Sequence, residues 1–198
     1  MENQTDSSLM MLVQAGETSQ LAVLFERHHL PLFRYLLHLT RNQTVSEDLA
    51  QEAFMRVLKY ASTYNPNLGF PVWLFGIARN LYFDSLRRKK AESISDGFTD
   101  IRSSDPMPEE LVTRKQDVTL LEKALQQLPS DKREVLVLSR FQNLRYEEIA
   151  RLTSCEVGTV KVRVYRALKQ LRENFRRLHE AKAAQRAKLQ DQEGLYDI

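Results

Sequence analysis

Apolar residues recur at every third and fourth position along most of the chain, the period that lays a stripe down one face of an α-helix. Leu21, Leu24 and Phe25 start the first stripe, with Thr18 or Ser19 placed to receive its leading amide hydrogens. Pro31 begins or kinks a second stretch, striped by Leu32, Phe33, Leu36, Leu37 and Leu39 and closed at Arg41 and Asn42. Ser46 is a good N-cap, and Glu47 and Asp48 follow in the turn where the helix dipole favours anions. The helix it opens runs to about Tyr60, with Leu49, Ala50, Ala53, Phe54, Val57 and Leu58 inward. Its other face carries Asp48, Gln51, Glu52, Met55, Arg56 and Lys59.

Residues 61–69 hold Ser62, Asn65, Pro66, Asn67 and Gly69 and form a loop by composition. Pro71 suits the first turn of the next helix, where Trp73, Leu74, Ile77, Ala78 and Leu81 point inward. That leaves Arg79, Asn80, Asp84, Arg87 and Arg88 outside. From Ala91 to about Asp117 serines, prolines and acids replace the apolar period, so these residues are expected to be a flexible linker. Leu121, Ala124, Leu125 and Leu128 then begin a second module, stopped by Pro129 and restarted by Ser130 and Asp131, with Val135, Leu136, Leu138 and Phe141 buried.

A short helix over Tyr146 to Leu152, an interruption at Thr153, Ser154 and Cys155, and a longer helix from about Val157 match a helix-turn-helix. Val160, Val164, Ala167 and Leu171 hold the longer helix to its core, which turns Thr159, Lys161, Val162, Arg163, Arg166 and Lys169 outward. Small or hydrogen-bonding residues at the head of such a helix, flanked by cations, suit a DNA major groove. An ordinary solvated surface helix carries a similar pattern.

Composition supports two helical modules. Six glycines and six prolines in 198 residues are about half the usual share, which disfavours a turn-rich β fold. The single cysteine, Cys155, excludes an internal disulfide framework and any multi-thiolate metal site, and it suits a reducing compartment. The apolar run from Leu9 to Val13 is too short for a signal sequence, and no stretch approaches the length of a membrane span, so a cytoplasmic protein is expected. His28 and His29 are adjacent and point to different faces, and Asp48 with Glu52 lacks a neighbouring histidine, so no metal or cofactor is expected.

Net charge is only +3, but it is unevenly spread. Arg79 to Lys90 has five basic residues against one acid, Gly158 to Leu178 has seven against one, and Ala91 to Glu110 has six acids against one base. Two basic modules on an acidic spacer suggest two attachment points on one polyanion, since clustered cations release counterions when they meet phosphates.

Four motifs stand in order along the chain: DLAQEAF from Asp48 to Phe54, WLFGIARN from Trp73 to Asn80, YEEIA from Tyr146 to Ala150, and VGTVK from Val157 to Lys161. Together they resemble regions 2 and 4 of bacterial RNA polymerase sigma factors of the extracytoplasmic-function (ECF) group, a branch of the sigma-70 family. The resemblance implies an all-α fold of two small domains. These are a region 2 bundle over 1–90 and a region 4 helix-turn-helix over 118–178, joined by a flexible acidic linker over 91–117 and followed by a tail over 179–198. It implies a subunit, not an enzyme, that binds core polymerase, directs it to promoters and promotes DNA melting.

The resemblance also distributes roles among residues. Asp48, Gln51, Glu52 and Met55 would dock on the clamp helices of the polymerase β′ subunit, and region 4 would meet the β flap. Tyr64, Asn65, Arg79, Asn80, Asp84, Arg87 and Arg88 would read the minus-ten element, where opened strands offer bases for stacking and phosphates for cations. Glu156, Thr159, Lys161, Arg163 and Arg166 would read the minus-thirty-five element in the major groove. An anti-sigma factor would be a further partner. Val162 stands where the family often has Ser, and Thr153 and Ser154 replace its usual Leu-Gly turn. On the residues themselves two other readings stay open: an autonomous helix-turn-helix regulator, and an enzyme acting on nucleic acid, for which no nucleophile, metal cluster or phosphate-cradling loop is visible.

Overall fold

The computed structural model describes the backbone of residues 4–95 and 114–193, and the side chains of 4–88 and 118–184. Eight helices make up the described chain: α1 (Asp6–Gln14), α2 (Gln20–Thr40), α3 (Gln43–Lys59), α4 (Phe70–Ser95), α5 (Arg114–Gln126), α6 (Ser130–Leu136), α7 (Tyr146–Leu152) and α8 (Val157–Glu193). Helices α1 to α4 form the first module and α5 to α8 the second. Residues 96–113, the larger part of the expected linker, and residues 194–198 of the tail lie outside the described residues.

The polar start of the chain holds a helix that the stripe analysis passed over. Thr5 caps α1 by accepting the Ser8 amide, and Leu9, Met10 and Val13 enter the core from it. Nine residues are too few for a sustained period to show. Asp6 fastens this helix to α2 through Arg27 Nη1 at 2.8 Å and His28 Nε2 at 2.6 Å, so His28 serves a contact between helices. His29 lies stacked on Phe25 instead.

Pro31 neither starts nor stops a helix, for α2 continues through it to Arg41, which closes the helix in the left-handed region at φ 59°. The N-cap of α3 is Asn42, not Ser46: the Asn42 side chain accepts the Val45 amide at 2.9 Å. Ser46 lies one turn inside, fully buried, its hydroxyl donating to the Asn42 carbonyl at 2.6 Å and paired with Thr40 Oγ1. A buried serine needs such partners, since an unpaired hydroxyl there costs about 1–3 kcal/mol.

The stripe of α4 is rotated from the expected one. Val72, Leu74, Phe75, Ala78, Leu81 and Tyr82 are buried, while Trp73 and Ile77 are half-buried against them. In α3 Leu58 is exposed, and in the second module Leu121 and Phe141 are too. The backbone after α6 passes through one π-helical turn, Val137–Phe141, which carries the Phe141 ring outward to within 4.7 Å of His38 in α2.

The helix-turn-helix lies where the pattern predicts it, α7 ending at Leu152 and α8 starting at Val157. Ile149 and Ala150 from α7 meet Val160, Val164 and Ala167 from α8 in the core. Asn174, buried lower on α8, donates to the Ala124 carbonyl of α5 at 3.1 Å and ties the long helix to the first helix of its module.

The two modules do not stand apart. Helix α2 packs on α6 and its following turn, α4 packs on α7, and the buried residues of both modules form one continuous cluster.

Ser154 occupies the left-handed region at φ 53° in the turn before α8, where a side chain costs energy that glycine avoids. Ser154→Gly is therefore expected to stabilise the chain by about 0.5–1 kcal/mol. Urea unfolding checks this, with an unchanged or lower midpoint as the contrary result.

Candidate nucleic-acid interface

Three surfaces gather the candidate residues. On α3, Asp48, Gln51, Glu52 and Met55 all face outward, and Met55 is 65% exposed. Glu52 accepts from Arg56 Nε at 3.0 Å one turn along, a solvent-exposed pair worth little to stability. The result is an acidic ridge with a large apolar side chain at its crest.

The second surface begins at the loop after α3. Asn65 is exposed, and its side chain accepts the Asn67 amide at 3.0 Å, closing a short 3-10 turn at Pro66–Leu68. Gly69 follows at φ 73° and ψ 141°, a conformation in which a side chain would be strained. Tyr64 departs from expectation. It is 4% exposed, its ring 5.2 Å from that of Trp73 and 6.3 Å from that of Phe70, its hydroxyl 3.0 Å from Ser7 Oγ. In this position it anchors the loop, and its face is closed to a nucleobase. Gln14 of α1 holds the same loop from behind, donating to the Ala61 and Tyr64 carbonyls at 2.9 and 3.1 Å. No local pattern in the sequence signals this support, because it spans about 50 residues.

Along α4, Asn80, Arg87 and Arg88 are exposed, and Asp84 pairs with Arg87. Arg79, Asn80, Phe83, Leu86 and Arg87 line a shallow groove. Arg79 does not point freely outward as expected. Its Nε donates to Glu134 Oε1 of α6 at 2.8 Å, and its guanidinium lies 4.7 Å from the centre of the Phe83 ring. The physical reason is Glu134 itself: this carboxylate is 4% exposed and requires a counter-charge. Tyr35 of α2 donates to the same oxygen at 3.2 Å. Burial pushes the Glu134 carboxyl up from its ordinary range against the opposing pull of Arg79, and burial with Glu134 pushes the Tyr35 hydroxyl well up.

Around this triad the charge is mostly positive. Arg133, the preceding residue of α6, is 8% exposed, and its Nε and Nη1 atoms are buried without a hydrogen-bond partner. Burial and the nearby Arg41 hold its pKa down. Arg41 in turn donates to the Gln126 carbonyl across the module boundary. Each orphaned donor costs about 1–3 kcal/mol, so the contact between modules carries a built-in penalty.

The third surface is the outward side of α8. Glu156, Lys161, Val162 and Arg166 are exposed, while Thr159 and Arg163 are half-buried. Tyr165, not singled out by the charge pattern, is 69% exposed beside Arg166. Its signal was present as an aromatic off the apolar stripe. Val118, Leu121, Leu168, Leu171, Arg172 and Phe175 line an apolar groove between α5 and α8.

Models of Sigma-70 region 2 and Sigma-70 region 4 match residues 24–92 and 119–171, one on each module. SigX, an ECF RNA polymerase sigma factor of Bacillus subtilis, is 30% identical over a match covering 83% of this chain and 87% of its own length. The chain belongs to the ECF sigma factors. SigE of Mycolicibacterium smegmatis, another ECF sigma factor, is 33% identical over 83% of this chain, which spans 64% of that relative's length. Among solved structures, the sigma factor RpoE in complex with the anti-sigma factor NepR, from Bartonella quintana, superposes with a TM-score of 0.71 at 26% identity, over 78% of this chain and 96% of that one. This ECF sigma factor therefore carries region 2 on α2 to α4 and region 4 on α5 to α8. Among the described residues no helix is long and apolar enough to cross a membrane, and no cluster of His, Cys, Asp or Glu is fit to hold a metal ion.

His38 offers a pH probe of the module contact. Burial, and secondarily Arg133, hold its pKa below the usual 6.5, so the folded state resists protonation that the unfolded chain accepts. Stability is fully present above about pH 6.5 and declines as pH falls below it. Glu134, its pKa raised, contributes the opposite slope, between its ordinary carboxylate range and its raised folded value. Thermal melts at about pH 7.5 and about pH 5.5 are expected to show a larger loss for the natural chain than for His38→Gln. Equal losses contradict the assignment.

Proposed function

We propose that this sigma factor is the promoter-recognition subunit of an RNA polymerase holoenzyme, engaging polymerase through α3 and DNA through α4 and α8. The observation that carries the proposal is the pairing, in chain order, of an exposed acidic ridge and a helix-turn-helix whose second helix leaves Lys161, Val162, Tyr165 and Arg166 open to a groove.

Each surface suits its ligand chemically. Carboxylates beside Met55 suit a basic, partly apolar helix such as the clamp helices of β′. Asn65 and Asn80 bring amides for base edges, and Arg87 and Arg88 bring cations for the backbone of an opened minus-ten element, with Asp84 positioning Arg87. Arg79 joins them once released from Glu134. At the minus-thirty-five element Thr159, Lys161, Arg163 and Arg166 supply donors for base edges and phosphates, Glu156 accepts from a cytosine amine, and Val162 and Tyr165 suit thymine methyl groups. Free energy for strand opening comes from binding the separated strand more tightly than the duplex, and no bond is made or broken by the sigma factor itself. The apolar groove between α5 and α8 suits an amphipathic helix, as the β flap would present. One structural neighbour, the sigma factor RpoE, is in complex with the anti-sigma factor NepR, which supports an anti-sigma partner here.

Reconstitution with core polymerase and run-off transcription test the reading. Asp48→Arg with Glu52→Arg is expected to weaken core binding by roughly tenfold or more. Lys161→Ala and Arg166→Ala are expected to leave core binding intact and to lower promoter binding, each reducing the salt-dependence slope by about 1 where it meets a phosphate. Run-off activity that survives both sets of substitutions contradicts the proposal, as does a natural chain that forms no holoenzyme.

A further inference from the structure

Helix α1 touches the loop between α3 and α4 from both of its own ends, and both contacts fall on one residue. Ser7, in its first turn, pairs with the Tyr64 hydroxyl at 3.0 Å, while Gln14, its last residue, donates through Nε2 to the Tyr64 carbonyl at 3.1 Å. The same amide donates to the Ala61 carbonyl at 2.9 Å. Side chain and backbone of Tyr64 are thus fixed separately, by groups about 10 Å apart along one helix. The helix is itself tied to α2, through Asp6 to Arg27 and His28 and through the Gln4 carbonyl to Arg27. All of α1 precedes the residues matched to region 2, which begin at position 24.

Past Tyr64 the loop faces outward. Asn65, Pro66 and Asn67 are exposed, and Asn65 Oδ1 accepts the Asn67 amide. That bond uses the acceptor of Asn65 and leaves its two Nδ2 hydrogens to a ligand, a donor pair suited to a base edge.

We propose that Gln14 and Ser7 are positioning residues for single-stranded DNA: α1 braces Tyr64 at two points, so that Asn65 and Asn67 are held ready for an unstacked base that α1 itself does not touch. The proposal rests on the reading that this loop meets an opened minus-ten element, but the brace is a property of the free chain.

Ordering the loop in advance matters because a mobile loop loses conformational freedom when its ligand arrives, and affinity falls by that loss. The effect is separable from folding. The Ala61 carbonyl also accepts the Tyr64 amide at 3.1 Å, and Gln14 lies at the surface, where water replaces its donors once they are removed. Loss of Gln14 therefore falls on the order of the loop, whereas a side chain that merely supported the fold would weaken every activity of the module together.

Gln14→Met keeps the length of the side chain and removes its donors, and Ser7→Ala and Tyr64→Phe each remove the hydroxyl contact. Amide exchange of the free chain, read by magnetic resonance, is expected to quicken roughly fivefold or more in Gln14→Met at Thr63, Tyr64, Leu68 and Gly69, whose amides close the turns of the loop, and to stay unchanged within α3 and α4. The DNA probe is the single-stranded oligonucleotide of about 20 nucleotides that the natural holoenzyme enriches from a randomised pool. Gln14→Met holoenzyme is expected to bind it roughly fivefold or more weakly while its affinity for core polymerase is unchanged. Ser7→Ala and Tyr64→Phe are expected to weaken it no more together than either does alone, because they delete one contact. Loop exchange that Gln14→Met leaves unchanged overturns the proposal, as does undiminished binding of the oligonucleotide. Exchange that quickens equally throughout α3 and α4, with core binding lost in parallel, also overturns it. If loop exchange alone quickens while the natural holoenzyme enriches no sequence, the brace stands and the minus-ten reading falls.

Discussion

A carboxylate cannot be taken out of water without a counter-charge, and that constraint organises the relation between the two halves of this protein. Glu134 is buried on α6, and its satisfaction comes from Arg79 and Tyr35 on the opposite module. Such a pair adds little net stability compared with an apolar contact of the same shape, but breaking it by removing one partner costs about 3–5 kcal/mol. It therefore specifies which surfaces meet more than it strengthens their meeting. Tyr35 and Arg79 on Glu134, and His38 against Phe141, all follow from one docking geometry.

That geometry links fold to function through Arg79. In region 2 it lies on the helix that carries Asn80, Arg87 and Arg88, and in the free chain its charge is spent on region 4. By contrast the acidic ridge of α3 and the leading turns of α8 remain exposed, so the surfaces proposed for polymerase and for the minus-thirty-five element are not closed by the same contact. The two modules are separate in sequence and in family architecture, yet among the described residues they are joined by apolar packing, the Arg79–Glu134 ion pair and hydrogen bonds from Tyr35 and Arg41.

Much of this was legible in the chain before any coordinates. The helices with long regular stripes, the turn of the helix-turn-helix and the outward residues Asp48, Gln51, Glu52 and Met55 follow from local periodicity, which is a property of consecutive residues. Most of what escaped depends on partners far along the chain. Tyr64 carries the chemistry of a stacking residue, but packing against Trp73 and Phe70 and the Ser7 contact turn it inward. Arg79 belongs to a basic cluster, and only the position of Glu134, 55 residues away, turns it toward region 4. Asn42 competes with Ser46 for the same cap, and the winner is decided by Thr40, which gives the buried serine a partner. Helix α1 is too short to announce itself by period, although it supports the loop between α3 and α4 through Gln14.

The coupling between Arg79 and Glu134 is the physical quantity on which the account turns. A double-mutant cycle with Arg79→Gln, Glu134→Gln and the combined variant, read by chemical unfolding of the full chain, measures it directly. The account predicts that the two substitutions fall short of additivity by about 1–3 kcal/mol, because the second removes a partner already lost. Additive effects, within about 0.3 kcal/mol, would contradict it.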